Sequence, residues 1–363
     1  AKIEIVESGV TPARIRCTGL CRCPEPDASS DHCPDCARIA LIDGVLACAG
    51  CGATFAVNGG VPRLETPSSL DAARSRTAAS FGCLWSQSTP GVEMYDPTSY
   101  HFQKMEQSLS LDAPHGLVLD AGCGDGIDLA NQAQRDGVEV IGVDLSEGGC
   151  RTSYARTRGL ERAHVVQADL CRLPFADGTF DLAYSYGVLH HLSAPERGLA
   201  EVTRVAKQGA SIVVYLYEDF SERSTLLHWS LAAANTVRAV TTRLPHGLLY
   251  SLCRLASPVM FAVFTVPTML GRRFTRLARL TANLPFRHGT GPFSLVGDLY
   301  DRFSAPVEYR YSRESSAAFL ADAGLRQLHV ASERGWMGAG TRRGHGTAAT
   351  RCAAHAPALR VRR

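Results

Sequence analysis

Long uncharged apolar runs are scarce in this sequence. The longest of note, residues 255–270, spans 16 residues and contains Pro258 and Pro267. A bilayer-spanning helix needs about 20 apolar residues, so a transmembrane segment is not expected. No apolar leader opens the chain, so no secretory signal is read. An excess of one charge is also missing: the net charge is a mild +3. No internal repeat is found, which excludes a solenoid. The 13 cysteines are an odd number and cannot form a complete disulfide framework. With 45% hydrophobic and 20% charged residues over 363, the composition fits a globular chain with one large and one small domain.

The most informative segment is residues 117–126, Leu-Val-Leu-Asp-Ala-Gly-Cys-Gly-Asp-Gly. An apolar strand runs into Asp120. A turn with Gly122, Gly124 and Gly126 around Cys123 follows, and a helix then begins at Ile127. Glycines let a backbone approach a ligand closely or take positive φ, and a helix N-terminus offers free N–H groups. The turn is G-x-G-x-G rather than the dinucleotide pattern G-x-G-x-x-G. An acid at the strand tip repels a pyrophosphate and suits a ligand with an amine.

A second strand, 138–143, ends in Asp144, followed by Leu145. Asp144 is placed to accept both hydroxyls of a ribose. A third, 164–168, ends in Asp169, with Leu170 next, positions suited to an adenine amino group and the face of its base. A fourth, 180–184, leads to Tyr186, His190 and His191, and a fifth covers 210–216. An Asp after a strand is often a helix N-cap, and for each acid alone that reading is as good. Three acids at successive strand ends are harder to explain by capping. In a doubly wound sheet, ligands lie across such C-terminal strand ends.

Residues 116–217, with Leu173-Pro174-Phe175 and Asp177-Gly178-Thr179-Phe180-Asp181, resemble class I S-adenosylmethionine-dependent methyltransferases of the small-molecule, ubiquinone/menaquinone-biosynthesis type. The resemblance implies an α/β, Rossmann-like doubly wound seven-stranded sheet. It also implies S-adenosylmethionine as cofactor, held by Asp120, Gly122, Cys123, Gly124, Gly126, Asp144, Leu145, Asp169, Leu170 and Tyr186. By the same resemblance residues 312–341 form the last helix and closing strands. A sulfonium methyl is already electrophilic, so the protein chiefly aligns and desolvates the partners. His190 or His191 could act as general base towards a hydroxyl or phenol. Shaping the loop or capping the next helix is an equal reading for both. Tyr309 and Tyr311 follow a segment similar to a substrate loop.

Near the start, Cys33, Cys36, Cys48 and Cys51 form C-x2-C-x11-C-x2-C, a spacing for tetrahedral zinc. Between the pairs, residues 38–42 and 45–47 read as a hairpin around Asp43-Gly44. Residues 1–66 thus resemble a zinc ribbon, similar to the zinc-ribbon partner proteins of tRNA and rRNA methyltransferases. Four thiolates leave no open position, so the zinc is read as structural. The paired knuckles point to a reducing, cytoplasmic setting. Cys17, Cys21 and Cys23 with His32 stand as loop thiols or a second metal site.

Residues 67–115 read as a helical linker and N-terminal cap carrying Phe81, Trp85, Tyr95, Tyr100 and Phe102. Residues 218–311 read as a helical insert, and 342–363 as a basic disordered tail. The insert is either a cap over the site, lining an apolar substrate pocket, or an interfacial element touching a membrane beside Arg272, Arg273, Arg276 and Arg279. The function expected is methyl transfer to a small, bulky or hydrophobic metabolite. RNA base methylation is a rival, although an Asn-Pro-Pro-Tyr motif is missing and nucleic acid is not the expected partner. A non-catalytic binding scaffold is a second rival, against which the intact acids and glycines argue.

Overall fold

The computed structural model describes residues 3–6, 14–17, 39–48, 54–64, 71–88, 100–223, 225–271, 281, 286, 289–332 and 335–343. For 3–6, 14–17, 39–42, 47–48 and 226 the description is of backbone alone. Five strands come first: β1 (Ile3–Val6), β2 (Arg14–Cys17), β3 (Ile39–Cys48), β4 (Thr54–Asn58) and β5 (Val61–Pro62). They form a small antiparallel sheet in the order β1-β3-β4-β5, with β2 also paired to β3. The hairpin expected around Asp43-Gly44 is corrected. β3 runs straight through these residues, pairing Arg14 with Asp43 on one side and Gly44 with Val57 on the other. Ladder bonds on both flanks hold the dipeptide extended, and the Asp43 carboxylate instead accepts from Gly59 N at 2.8 Å.

Helices α1 (Ala72–Trp85) and α2 (His101–Leu109) lead into the core. There β6 (Gly116–Ala121), β7 (Val138–Asp144), β8 (Ala163–Gln167), β9 (Phe180–Tyr186) and β10 (Ala206–Leu216) alternate with α3 (Ile127–Ala133), α4 (Glu147–Thr157) and α5 (Pro195–Val205). After the insert, β11 (Leu325–Ser332) and β12 (Trp336–Arg342) close a seven-stranded sheet in the order β11-β12-β10-β9-β6-β7-β8. The first five strands are parallel, and β12 pairs antiparallel to both β10 and β11. The order reverses between β6 and β9, so the C-terminal end of that pair is the switch point where open α/β sheets bind ligands. The strands are nearly uniform apolar runs because helices cover both faces. Val118, Leu119, Val140, Ala183 and Val213 have essentially no exposed surface.

The small sheet is tied to the core at one edge. Arg63 bridges to Gln167 at the end of β8, Leu64 N donates to the Gln167 carbonyl at 2.9 Å, and Val61 is buried in the core.

The insert holds α6 (Thr225–Thr241), α7 (His246–Gly271) and α8 (Val296–Ser304), before α9 (Arg313–Asp322). The expectation that Pro258 and Pro267 interrupt the apolar run is corrected. One continuous helix of 26 residues passes through both prolines, taking a wider π turn at Phe261–Thr265. Such a turn rearranges the backbone bonds that a following proline cannot donate. The argument from length against a membrane helix therefore fails: among the described residues this one helix is long and apolar enough to cross a bilayer.

Candidate active site

β6 delivers Asp120 to the switch point at the core of the sheet. Its carboxylate is 3% exposed, and Oδ2 has no hydrogen-bond partner among the described residues. Burial pushes this carboxyl well above the ordinary range, and the charges of Asp128, Asp144 and Asp125 push it the same way, while the neighbouring Tyr184 phenol pulls it back in part. A buried carboxylate without a partner is costly. The neighbouring acids make the site attractive to a cation.

The turn after Asp120 needs glycine for steric reasons. Gly122 has φ +100°, and a Cβ there would lie 2.3 Å from the Val188 side chain. Gly126, at φ +78°, is the residue before α3, and its Cβ would lie 2.4 Å from Ser153 Oγ. The Trp85 ring sits 3.0 Å from where a Gly124 Cβ would be. Cys123 points away from this space, packed against Gly142 and Leu129, and burial raises its thiol well above the usual range.

The second acid, Asp144, is engaged locally. Oδ2 accepts from Gly124 N at 3.0 Å, while Oδ1 accepts from Ser146 N and Oγ, each at 2.7 Å. It thereby clamps the glycine turn, with acceptor capacity left over. Leu145 is half-buried, and its carbonyl accepts from Gln167 Nε2 at 2.8 Å. The third acid, Asp169, caps the short turn Leu170–Arg172 through Cys171 N at 2.8 Å and pairs with Arg74 of α1. Leu170 is buried in the core cluster. The capping reading thus holds at Asp169, alongside an ion pair that the sequence did not indicate.

Helix α1 spans the row of strand tips. Arg74 reaches Asp169, Trp85 lies on the glycine turn, and the Phe81 ring is 5.1 Å from that of His191. It can cross α4 closely because Gly148 faces Gly82, where a Cβ would fall 2.0 Å from the Gly82 carbonyl. Asp128 holds α2 in place by accepting from Phe102 N at 3.0 Å and meeting His101 Nδ1 at 2.9 Å.

Beyond Asp120 the strand tips are lined with rings. Tyr186 stacks between His101 and Tyr215 at 4.1 and 4.4 Å. His190 lies 4.0 Å from the ring of Tyr217 and 4.3 Å from that of His191. His190 is fully buried, and neither of its nitrogens has a hydrogen-bond partner among the described residues. Burial, then the charges of His191 and Arg310, hold its pKa well below the usual imidazole value, so it is neutral at pH 7. His191 meets the Val307 carbonyl through Nδ1 at 2.8 Å, which leaves Nε2 buried without a partner among the described residues. With Nδ1 as the donor, Nε2 carries a lone pair able to accept a proton.

The sequence reading placed Asp301 at the start of the segment similar to a substrate loop, but missed Tyr217 and the pairing of the two. The Tyr217 hydroxyl donates to Asp301 Oδ2 at 2.8 Å. Burial drives both groups upward, so the phenol stays protonated. Residues 307–311 close this side: Tyr309 N donates to the His190 carbonyl, and Arg310 lies over the Tyr217 ring at 5.3 Å. Tyr309 is half exposed, and burial pushes the Tyr311 phenol to about 12. Tyr95 lies outside the described residues, and Phe102 is a core residue.

The zinc expectation falls largely outside the described residues. Cys33, Cys36, Cys51, Cys21, Cys23 and His32 are not among them, and for Cys17 and Cys48 only the backbone is described. Among the described residues, no group of three or more His, Cys, Asp or Glu side chains is placed to hold a metal.

Residues 119–214, from β6 into β10, match the family described as a methyltransferase domain. Over 103 residues the chain is 36% identical to "Norajmaline N-methyltransferase" of Rauvolfia serpentina, covering 28% of this chain and 35% of that protein. Over 124 residues it is 36% identical to "Demethylmenaquinone methyltransferase" of Beutenbergia cavernae, covering 33% and 50%. Over 146 residues it is 33% identical to "Probable tRNA methyltransferase 9B" of Mus musculus, covering 38% and 31%. The chain thus spans half or less of each of these relatives. The matched segment is a class I S-adenosylmethionine-dependent methyltransferase domain.

Proposed function

We propose that the whole chain is an S-adenosylmethionine-dependent methyltransferase acting on a small apolar acceptor, with a structural zinc in its N-terminal module. The observation that carries the reading is the buried, unpartnered Asp120 carboxylate oxygen at the switch point, ringed by Asp125, Asp128 and Asp144. That donor set fits a ligand bearing an ammonium and a sulfonium and repels a dinucleotide. When bound, S-adenosylmethionine supplies an electrophilic methyl group. Asp120 would meet its cationic amino-acid part. Asp144, already clamping the turn, would share its remaining lone pairs with ribose hydroxyls. The rings of Tyr186, Tyr215 and Tyr217 exclude water and present an apolar wall to an acceptor. His191 Nε2 would take the proton of an acceptor hydroxyl, while His190, held neutral, packs beside it. Two of the relatives are named for alkaloid and quinone methylation, in line with an apolar small acceptor.

The zinc reading rests on the cysteine spacing and on the ladder. Cys48 is the last residue of β3, and Ala47 before it pairs with Thr54, the first of β4.

A second reading, methyl transfer to RNA, is favoured by the similarity to the mouse protein named for tRNA. Incubation with S-adenosylmethionine labelled in its methyl group, in an extract of cells lacking the protein, separates the two. Label in organic-soluble compounds that gain the mass of one CH2 is the expected result. Label confined to RNA would replace the small-molecule reading.

A further inference from the structure

Helix α7 keeps one face inside the molecule and leaves an apolar face outside it. Leu249 and Cys253 are buried in a cluster with Leu84, Leu299 and Tyr300, and Ser257 and Thr265 are buried further along the helix. Ser257 Oγ donates to the Pro292 carbonyl at 2.7 Å, and Thr265 Oγ1 donates to that of Phe286. These bonds staple the helix to the domain along its length. A helix so fixed is held against the domain by one face.

The outer face is the opposite of what a surface helix normally shows. Leu248, Leu252, Leu255, Val259, Val263 and Leu270 are between 45 and 75% exposed. Their spacing of 4, 3, 4, 4 and 7 residues puts them in one stripe along the helix. The only charged residue in this helix is Arg254. Helix α6, which like α7 packs on α8, exposes Trp229 at 73%, with Val237 and Val240 also exposed, while its one charged residue, Arg238, turns inward to Glu308 at 2.7 Å. Exposed apolar surface of this kind, on each helix, marks an interaction site.

Charge selects the partner. From residue 224 to 297 the sequence has eight arginines and no aspartate, glutamate or lysine. Arg272, Arg273, Arg276, Arg279 and Arg287 lie outside the described residues. By composition alone, a second copy of this chain would bring the same basic segment against itself, because a twofold interface is self-complementary. An anionic lipid surface satisfies both features, taking the apolar stripe at the acyl boundary and matching the basic composition of this segment with its headgroups. Trp229 has the amphipathic ring favoured at that depth. We infer that the exposed faces of α6 and α7 dock the protein on an anionic lipid bilayer, with α7 lying in the plane of the surface. This would place the aromatic end of the domain close to a source of apolar molecules.

The test uses the full chain without cofactor, so its failure leaves the methyltransferase reading untouched. Co-sedimentation is measured with vesicles of phosphatidylcholine plus phosphatidylglycerol and with phosphatidylcholine alone. The protein is expected to pellet with the anionic vesicles, less so in high salt. The fluorescence of Trp229 should shift to the blue, and that shift should vanish in Trp229→Phe. Leu255→Glu with Val259→Glu alters exposed positions only, so the melting temperature should hold while vesicle binding falls by about tenfold or more. No pelleting, equal pelleting with both vesicles, or unchanged pelleting of the double variant would overturn the inference. So would a solution dimer that the same substitutions dissociate.

Discussion

His190 shows how one side chain sets the behaviour of the site. It is buried, aromatic in its contacts and without a hydrogen-bond partner among the described residues, and its pKa is held below the imidazole norm. The unfolded chain therefore binds a proton that the folded chain refuses. The stabilising effect is complete above about pH 6.5 and is lost as pH falls from there towards the folded value. A group protonated only in the unfolded chain costs about 1.4 kcal/mol at one pH unit below its ordinary value. Urea midpoints at about pH 7.5 and about pH 5.5 should show this acid sensitivity. In His190→Phe, which keeps the ring against Tyr217, the sensitivity should shrink. An equal slope in both proteins would mean that His190 is not the buried titrating group. The acids at strand tips were legible in the sequence, since each follows an apolar strand directly. The Tyr217–Asp301 pair was not, because 84 residues separate its members and only the folded insert brings them together.

At the level of elements, the placement of α1 depends on a glycine contact. A Cβ at Gly148 would strike the backbone of Gly82, where no side chain can yield. Gly148→Ala is expected to destabilise the fold by about 1–3 kcal/mol through overpacking. It should also loosen α1, because the two helices cross at that point. Limited proteolysis should then cut within Ala72–Trp85 faster than in the parent, and unchanged cleavage would refute this role of the crossing. The strands and helices of the core were readable from periodicity and turn chemistry. The two misreadings share a physical cause. Asp-Gly at 43–44 signals a turn, yet ladders on both flanks keep it extended. Pro258 and Pro267 signal helix breaks, yet a π turn and an anchored inner face carry α7 through them. Local signals lost to tertiary contacts in both cases.

Across the whole molecule, the small sheet and the core are linked through Arg63, Gln167 and the buried Val61. A sheet of five short strands has little core of its own, so the proposed zinc would supply much of its stability. Metal analysis of the purified chain should find zinc, and Cys33→Ser with Cys48→Ser should lose it. The core should still take up cofactor, since its glycine turn and acids belong to a separate sheet. Unchanged zinc content in the double variant would show that these thiolates are not the ligands. The central claim is that acids around the glycine turn hold a cationic nucleoside. Isothermal calorimetry with S-adenosylmethionine tests it on Asp120→Asn. Burial penalises the Asp120 charge in the cofactor-free protein, so the variant should melt no lower than the parent. It should nonetheless bind the cofactor at least about tenfold more weakly, equal to about 1.4 kcal/mol. A folded Asp120→Asn protein that binds S-adenosylmethionine as tightly as the parent would contradict the account.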